Sequence, residues 1–179
     1  MNEFNRKING ETIYLRKLIN KDATKKYCSW LNDPGVNKFL ETRKSTIKDL
    51  KEYIKKQNHN QDSLFLGVFD KKNNVHIGNI KLEPIDWKKK KAIFGIIIGD
   101  KNYWGRGVGQ EATKLTISYA FKNLGLKEIE LGVISQNERA RKAFERSGFK
   151  VTGLEKKAMN HDGILYDKVI MKIINNNCN

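Results

Sequence analysis

The chain has 179 residues, with 35 Lys and Arg against 20 Asp and Glu, for a formal net charge of +15. No stretch approaches the roughly 18 consecutive apolar residues of a membrane span, and Met1-Asn2-Glu3-Phe4-Asn5-Arg6-Lys7 has no apolar segment of the secretory kind. The length suits one domain over residues 1–179, with a core over about 12–174 and short polar tails. Cys28 and Cys178 form no ligand pattern. They read as free thiols of a reducing, cytoplasmic compartment. The positive balance is open to three readings: a nucleic-acid surface, a field drawing anionic small molecules, or a Lys- and Asn-rich composition without functional content. The one dense run, Lys88-Lys89-Lys90-Lys91, falls at an expected hairpin turn.

A strand is expected over 12–18, where Ile13 and Leu15 alternate with Tyr14 and Arg16. Asn20 is the expected cap of a helix running to about Leu31, ended by Asn32-Asp33-Pro34. Thr46 and Asp49 match a capping box for a second helix, with Ile47, Leu50 and Ile54 on one face. Strands over 64–69 and 76–82 flank the Lys71-Lys72-Asn73-Asn74 turn, and 92–98 is an almost wholly apolar strand suited to a sheet centre. A helix then carries Val108, Ala112, Leu115, Tyr119 and Leu124, with Gly125 beyond its end. A strand over 129–134 leads to a helix opened by Gln136 or Asn137 and closed by Gly148. Two last strands, 149–155 and 166–173, surround the turn Asn160-His161-Asp162-Gly163. The order gives an α+β fold with a mixed central sheet flanked by helices.

Between the central strand and the long helix lies Trp104-Gly105-Arg106-Gly107-Val108-Gly109. Alternating glycines let the chain turn sharply and leave its N–H groups uncovered. The following helix adds unpaired N–H groups and the positive end of its dipole. Together they suit a phosphate or pyrophosphate. Nothing fits the Walker pattern G-x-x-x-x-G-K-[ST]. The dinucleotide pattern G-x-G-x-x-G fails because Gln110 stands at its third glycine, although Glu128 and Glu130 lie where its ribose-binding acid would fall.

The loop resembles instead the G-x-G-x-G turn of the GNAT family of N-acetyltransferases, which holds the pyrophosphate of acetyl-coenzyme A. The run from Asn137 through Ala140 and Phe144 to Gly148-Phe149 is similar to that family's N-x-x-[AS]-x-x-x-[YF]-x-x-x-G-F helix. The two motifs stand in order at the family's separation, and the resemblance extends from the strand at Thr12 to the one ending near Ile173. Tyr103-Trp104-Gly105-Arg106-Gly107 and Trp30-Leu31-Asn32-Asp33-Pro34 resemble most the RimJ/RimL-like branch, which also holds amino-sugar N-acetyltransferases.

The resemblance implies a single-domain GNAT-like fold, acetyl-coenzyme A as donor and a primary amine as acceptor. It implies cofactor contacts at Trp104, Gly105, Arg106, Gly107, Val108, Gly109 and Gln110, with the N–H groups from Arg106 to Gln110 facing the pyrophosphate. Ile97 and Ile98 would pair with the pantetheine arm as an added strand, and Asn137 would bond it further along. Arg141 or Lys142 would either meet a coenzyme A phosphate or serve as solvated helix charges. A backbone N–H near Ile98 would stabilise charge on the thioester oxygen. The amine must lose a proton, for which Glu83 is the first candidate base and Asp86 the second, against exposed turn carboxylates as the plainer reading. The family's usual tyrosine is here Phe144, leaving Ser147, Tyr103, Tyr119 and Tyr166 as candidate acids. Tyr27, Trp30 and Phe39 are read as core or as acceptor-pocket lining, and Tyr166-Asp167 as acceptor-facing or solvated. His59, His76 and His161 have no ligand spacing, so no metal is expected.

The acceptor expected is a small molecule such as a nucleotide-linked amino sugar. The alternatives are a protein N-terminus, as in ribosomal-protein acetyltransferases, or a catalytically silent protein binding coenzyme A or nucleic acid. Nucleic acid is the partner ranked last, no membrane is expected, and monomer and homodimer are both open.

Overall fold

The computed structural model describes residues 7–40, 44–161 and 163–176. Its elements run β1 (Ile8–Asn9), β2 (Ile13–Lys17), a 3-10 turn (Asn20–Asp22), α1 (Lys25–Asn32), α2 (Pro34–Asn37), α3 (Ile47–His59), β3 (Leu64–Asp70) and β4 (His76–Asp86). They continue with β5 (Lys91–Ile98), a 3-10 turn (Lys101–Tyr103), α4 (Val108–Asn123), β6 (Glu128–Ile134), α5 (Glu138–Arg146), β7 (Lys150–His161) and β8 (Ile164–Ile174). All eight strands share one sheet in the order β1-β2-β3-β4-β5-β6-β8-β7. Only β5 and β6 run parallel. The sheet is therefore mixed, as the sequence leads one to expect.

Strand alternation divides the core between the two faces. Ile13 and Leu15 of β2 join a buried cluster with Leu66, Ile80, Leu82 and the α4 residues Val108, Ala112 and Ile117, against which Phe144 of α5 packs. Tyr14, between them in sequence, joins the opposite cluster with Phe65, Phe69, Tyr27 and Trp30 of α1, and Leu50 and Ile54 of α3. The capping box forms at the start of α3, with Asp49 N–H donating to Thr46 Oγ1 at 3.1 Å and Thr46 N–H to Asp49 Oδ2 at 2.8 Å.

The first helix departs from expectation. Asn20 opens only a 3-10 turn, and the cap of α1 is Thr24, whose hydroxyl accepts from Tyr27 N–H at 3.2 Å. Asp22 takes Arg16 in two bonds of 2.7 Å and also Ile19 N–H, which holds the chain in the turn. β4 continues four residues beyond Leu82 through an irregularity between Leu82 and Ile85. The final hairpin is longer than expected at both strands. The Lys88–Lys90 run lies in the turn between β4 and β5. Cys28 is a free thiol that donates to Ser45 O at 2.9 Å. Cys178 and Asp162 of the last turn lie outside the described residues. Among the described residues, no helix is long and apolar enough to cross a membrane.

Candidate functional site

The parallel ladder between β5 and β6 is short. It joins Lys91, Ala92 and Ile93 to Glu128, Ile129 and Glu130, while both strands run on, to Ile98 and Ile134. Beyond Ile93 the two strands separate. The register with β4 decides which groups face this opening. Gly99 N–H donates to Ile77 O at 3.0 Å, and Ile97 stands opposite Asn79. In an antiparallel ladder alternate residues exchange their bonds with the same neighbour. Ile97 therefore turns its N–H and C=O toward β4, and Ile96 and Ile98 turn theirs toward the opening. Of the expected pair, Ile98 faces the gap and Ile97 does not; the second residue there is Ile96. Trp104 confirms the direction of Ile98, its Nε1–H donating to Ile98 O at 2.7 Å.

The glycine loop sits at the end of this opening. Gly105 and Gly107 both have φ +78°, a conformation that favours glycine, and a Cβ on either would meet nothing within 4 Å. Gly107 caps α4 without any side-chain bond. The first bond into the helix is Glu111 N–H to Gly107 O at 2.9 Å, which leaves the N–H groups of Val108, Gly109 and Gln110 without helical partners. Arg106 N–H instead turns back to Tyr103 O at 3.5 Å, so it belongs less to this set than expected. A Cβ on Gly109 would lie 3.5 Å from Ile98 Cγ1, so the helix start packs directly on the gap-facing residue. Gln110 Nε2 donates to Arg146 O at 3.1 Å, which ties the loop to the end of α5.

At the other end of α5, Asn137 Oδ1 caps the helix by accepting from Ala140 N–H at 3.2 Å, which leaves its NH2 group as the available donor. Lys142 lies 3.8 Å from Glu138, exposed, and Arg141 Nε lies 4.0 Å from Glu145. Besides Arg106 in the loop itself, over the Tyr103 ring at 5.7 Å, a cation beside the loop is Arg139, its guanidinium 5.4 Å from the centre of the Trp104 ring. It has no carboxylate partner among the described residues. Open glycines, three convergent N–H groups, a cation and an amide donor are what a pyrophosphate and an amide-bearing arm would require.

Residues 12–150 match the model of the acetyltransferase (GNAT) domain. The chain belongs to the GNAT acetyltransferase family. A probable N-acetyltransferase YjcK of Bacillus subtilis is 28% identical over 180 residues, covering 94% of this chain and 97% of that one. Among solved structures, a spermidine N-acetyltransferase from Vibrio cholerae in complex with CoA and spermine superposes with TM-score 0.84 at 24% identity, covering 92% of this chain and 96% of that one. The microcin C7 self-immunity acetyltransferase MccE, in complex with acetyl-CoA and AMP, gives TM-score 0.81 at 24% identity, covering 93% and 94%. The eight-stranded sheet is the GNAT fold, and the protein is an acyltransferase enzyme.

In this acetyltransferase the expected base is otherwise engaged. Glu83 accepts from Gln57 Nε2 at 2.9 and 3.1 Å, from Asn60 Nδ2 at 3.2 Å and from Lys81 Nζ at 2.8 Å. Partial burial works against its charge, but Lys81, Gln57 and Asn60 outweigh it and hold the carboxyl below the usual range. Gly78 stands opposite Ile98, so Glu83 lies roughly 15 Å along β4 from that level. It pins α3 to β4 and does not reach the gap-facing amide. Asp86 accepts from Lys89 N–H at 2.8 Å within the hairpin turn.

The candidate acids are likewise held. Ser147 is buried and donates to Ala143 O at 2.9 Å. Tyr103 donates to Asp70 at 2.7 Å. Tyr119 lies half-buried against the α4-side core, and Tyr166 stands on β8 opposite Met159. Asp167 accepts from Lys156 Nζ and Lys157 N–H, each at 2.9 Å. Phe144 packs edge-on to Phe94, at 6.1 Å, and to Phe149, at 5.9 Å. Its ring fills the sheet side of α5 just where the ladder ends.

Helix α1 roofs the end of β5. Lys26 pairs with Asp100 at 2.6 Å, Asp33 with Lys101 at 2.6 Å, and the Trp30 indole lies so close that a Cβ on Gly99 would fall 2.1 Å from it. Tyr27 and Trp30 are therefore core residues, whereas Phe39 is only half-buried, with Lys38 over its ring. Beneath α1 lie His76, set aside in the sequence for want of a ligand spacing, and Asn79, which no sequence signal singled out. Among the described residues no group of His, Cys, Asp and Glu could hold a metal ion.

Proposed function

We propose that this enzyme, in the RimJ/RimL-like branch of the family, acetylates the primary amine of an anionic small molecule, such as a nucleotide-linked amino sugar. Acetyl-coenzyme A, the family's donor, supplies the acetyl group as a thioester. The observation that carries the site is the opening of the β5–β6 ladder beyond Ile93, with the glycine loop at its far end. The N–H groups of Val108, Gly109 and Gln110 would hold the pyrophosphate, with Arg139 beside them. The gap-facing groups of Ile96 and the NH2 of Asn137 would hold the pantetheine arm as an added strand. Ile98 N–H would stand at the thioester oxygen and stabilise the charge that develops there. Trp104 fixes that peptide by holding its neighbour, the Ile98 carbonyl.

The acceptor preference rests on charge. A net +15 draws anions and repels a polyamine cation, and clefts focus such fields. The two solved neighbours carry small molecules, spermine in one and AMP in the other. A protein N-terminus is the second reading. It is favoured by the bare stretch of β5 on the α1 face, where Ile93 is 40% exposed and an extended peptide could lie. Ionic strength separates the readings. kcat/KM for an amine carrying a diphosphate should fall several-fold between low and physiological salt, while that for a neutral peptide should hold. A diphosphate amine whose kcat/KM ignores salt contradicts the proposal.

A further inference from the structure

His76 spends only half of its hydrogen-bonding capacity. Its Nε2 lies 2.9 Å from Gly78 O and 2.9 Å from Asn79 Oδ1. Both are acceptors, so Nε2 carries the proton and Nδ1 holds a bare lone pair. That Nδ1 is buried with no hydrogen-bond partner. Phe69 stacks on the ring at 4.9 Å, Trp30 lies at 5.1 Å, and Tyr27 meets it edge-on at 5.2 Å. Burial pushes the imidazole below its usual range and keeps it neutral. A buried acceptor left without a donor is a cost that an apolar ring would avoid. What distinguishes histidine here is its Nε2–H.

Residues three apart on a strand normally face opposite sides. Here the register shifts: Val68 stands opposite Gly78, but Phe69 stands opposite His76, so Ile77 is an extra residue. The bulge re-aims His76 to the α1 face beside Asn79, as bulges near active sites do. Its carbonyl has a second consequence. Ile77 O accepts from two successive amides of the next strand, Gly99 at 3.0 Å and Asp100 at 3.1 Å. Those residues directly follow Ile98, so the bulge sets how β5 leaves the sheet just past the gap-facing amide. Trp30, in contact with His76, presses on Gly99 from the same side.

We propose that His76 is a positioning residue for acetyl transfer: its Nε2–H, shared between Gly78 O and Asn79 Oδ1, locks the Ile77 bulge and thereby the orientation of the Ile98 peptide. The inference rests on the placement of the transfer point at Ile98 proposed above. Histidine acts through Ile77, Gly99 and Asp100, not by touching the reacting atoms.

Two variants separate positioning from packing. His76→Phe keeps a ring among Phe69, Trp30 and Tyr27 but cannot donate. His76→Gln keeps an N–H for the same two acceptors. Rates are read on the best amine, or on acetyl-coenzyme A hydrolysis if no amine turns over. In His76→Phe, kcat should fall about 10- to 100-fold, less than the loss of a whole oxyanion donor. Calorimetric Kd for acetyl-coenzyme A should stay within about threefold, since the loop N–H groups are untouched. His76→Gln should recover kcat to within about fivefold of the parent. The proposal is overturned by a folded His76→Phe with parental kcat, by Kd rising in step with the loss of kcat, or by Gln being as impaired as Phe. If His76→Phe does not fold, Asn79→Leu removes one of the two acceptors and leaves Gly78 O. In that variant kcat should fall by a smaller factor, about 3- to 10-fold, with Kd for acetyl-coenzyme A unchanged. A folded Asn79→Leu with parental kcat overturns the proposal. Absence of acetyl-coenzyme A binding in the unmodified protein would instead count against the proposed function itself.

Discussion

Gly107 and Gly125 stand just outside opposite ends of α4 with left-handed backbones, φ +78° and +66°, and at each a Cβ would meet nothing within 4 Å. Alanine at either position therefore meets only backbone strain, about 1–2 kcal/mol. Reduced freedom of the unfolded chain offsets about 0.4–1 kcal/mol of that. A net loss of about 1 kcal/mol lowers Tm by about 2–4 °C in a chain of this size. The two substitutions should melt alike but bind differently. Only at Gly107 does the open space adjoin the N–H groups of Val108, Gly109 and Gln110. Losing one bond to a charged oxygen, about 1.5–3 kcal/mol, raises the Kd for acetyl-coenzyme A about 10- to 100-fold. Thermal melts and calorimetry on Gly107→Ala and Gly125→Ala read both quantities. Equal Kd values in the two variants, with equal melting shifts, would refute the assignment of the loop to the pyrophosphate.

Arg139→Ala should weaken acetyl-coenzyme A binding about fivefold at low salt, and less as salt screens the contact. Lys142→Ala should stay within about twofold, because an exposed pair with Glu138 contributes little; the reverse ranking by calorimetry would show that the wrong face of α5 meets the phosphates. Glu83→Gln should leave the shape of the pH–rate profile unchanged, since that carboxylate is held by α3 and Lys81. Its effect belongs to acid stability. The folded value lies below the unfolded 4.5, so its contribution is present above about pH 4.5 and is lost as pH falls toward the folded value. Melts of Glu83→Gln should show a shallower decline than the parent across that window. A lost acidic limb in the rate profile would return Glu83 to the role of base.

What the sequence disclosed was local. The glycine spacing, the capping box at Thr46 and the Asn137 helix are carried by residues within one turn of each other, and each appears where expected. What it withheld depends on register between distant segments. Whether Ile96 or Ile97 faces the gap follows from the pairing of Ile97 with Asn79, which the uniform apolar run over 96–98 cannot encode. Glu83 stood as the first candidate base because its partners, Gln57 and Asn60, come from α3 and its C-cap and are distant in sequence. Arg139 and Lys142 are equally basic in sequence; only the packing of α5 beside the loop selects Arg139 as the neighbour of Trp104. The bulge at Ile77 escapes for the same reason, since an extra residue is defined only against Val68 and Phe69 on the partner strand. Thr24 takes the cap in place of Asn20 because Asp22, paired with Arg16, holds the preceding residues in a 3-10 turn.

The most direct measurement is coenzyme A release from acetyl-coenzyme A, followed against nucleotide-linked amino sugars, polyamines, aminoglycosides and peptides with free N-termini, each with its calorimetric control for donor binding. The expected result is donor binding that Gly107→Ala weakens, and turnover fastest with the anionic amino sugars. Fastest turnover with polyamines would contradict the charge argument for the acceptor, and a folded protein that binds no acetyl-coenzyme A would contradict the site itself.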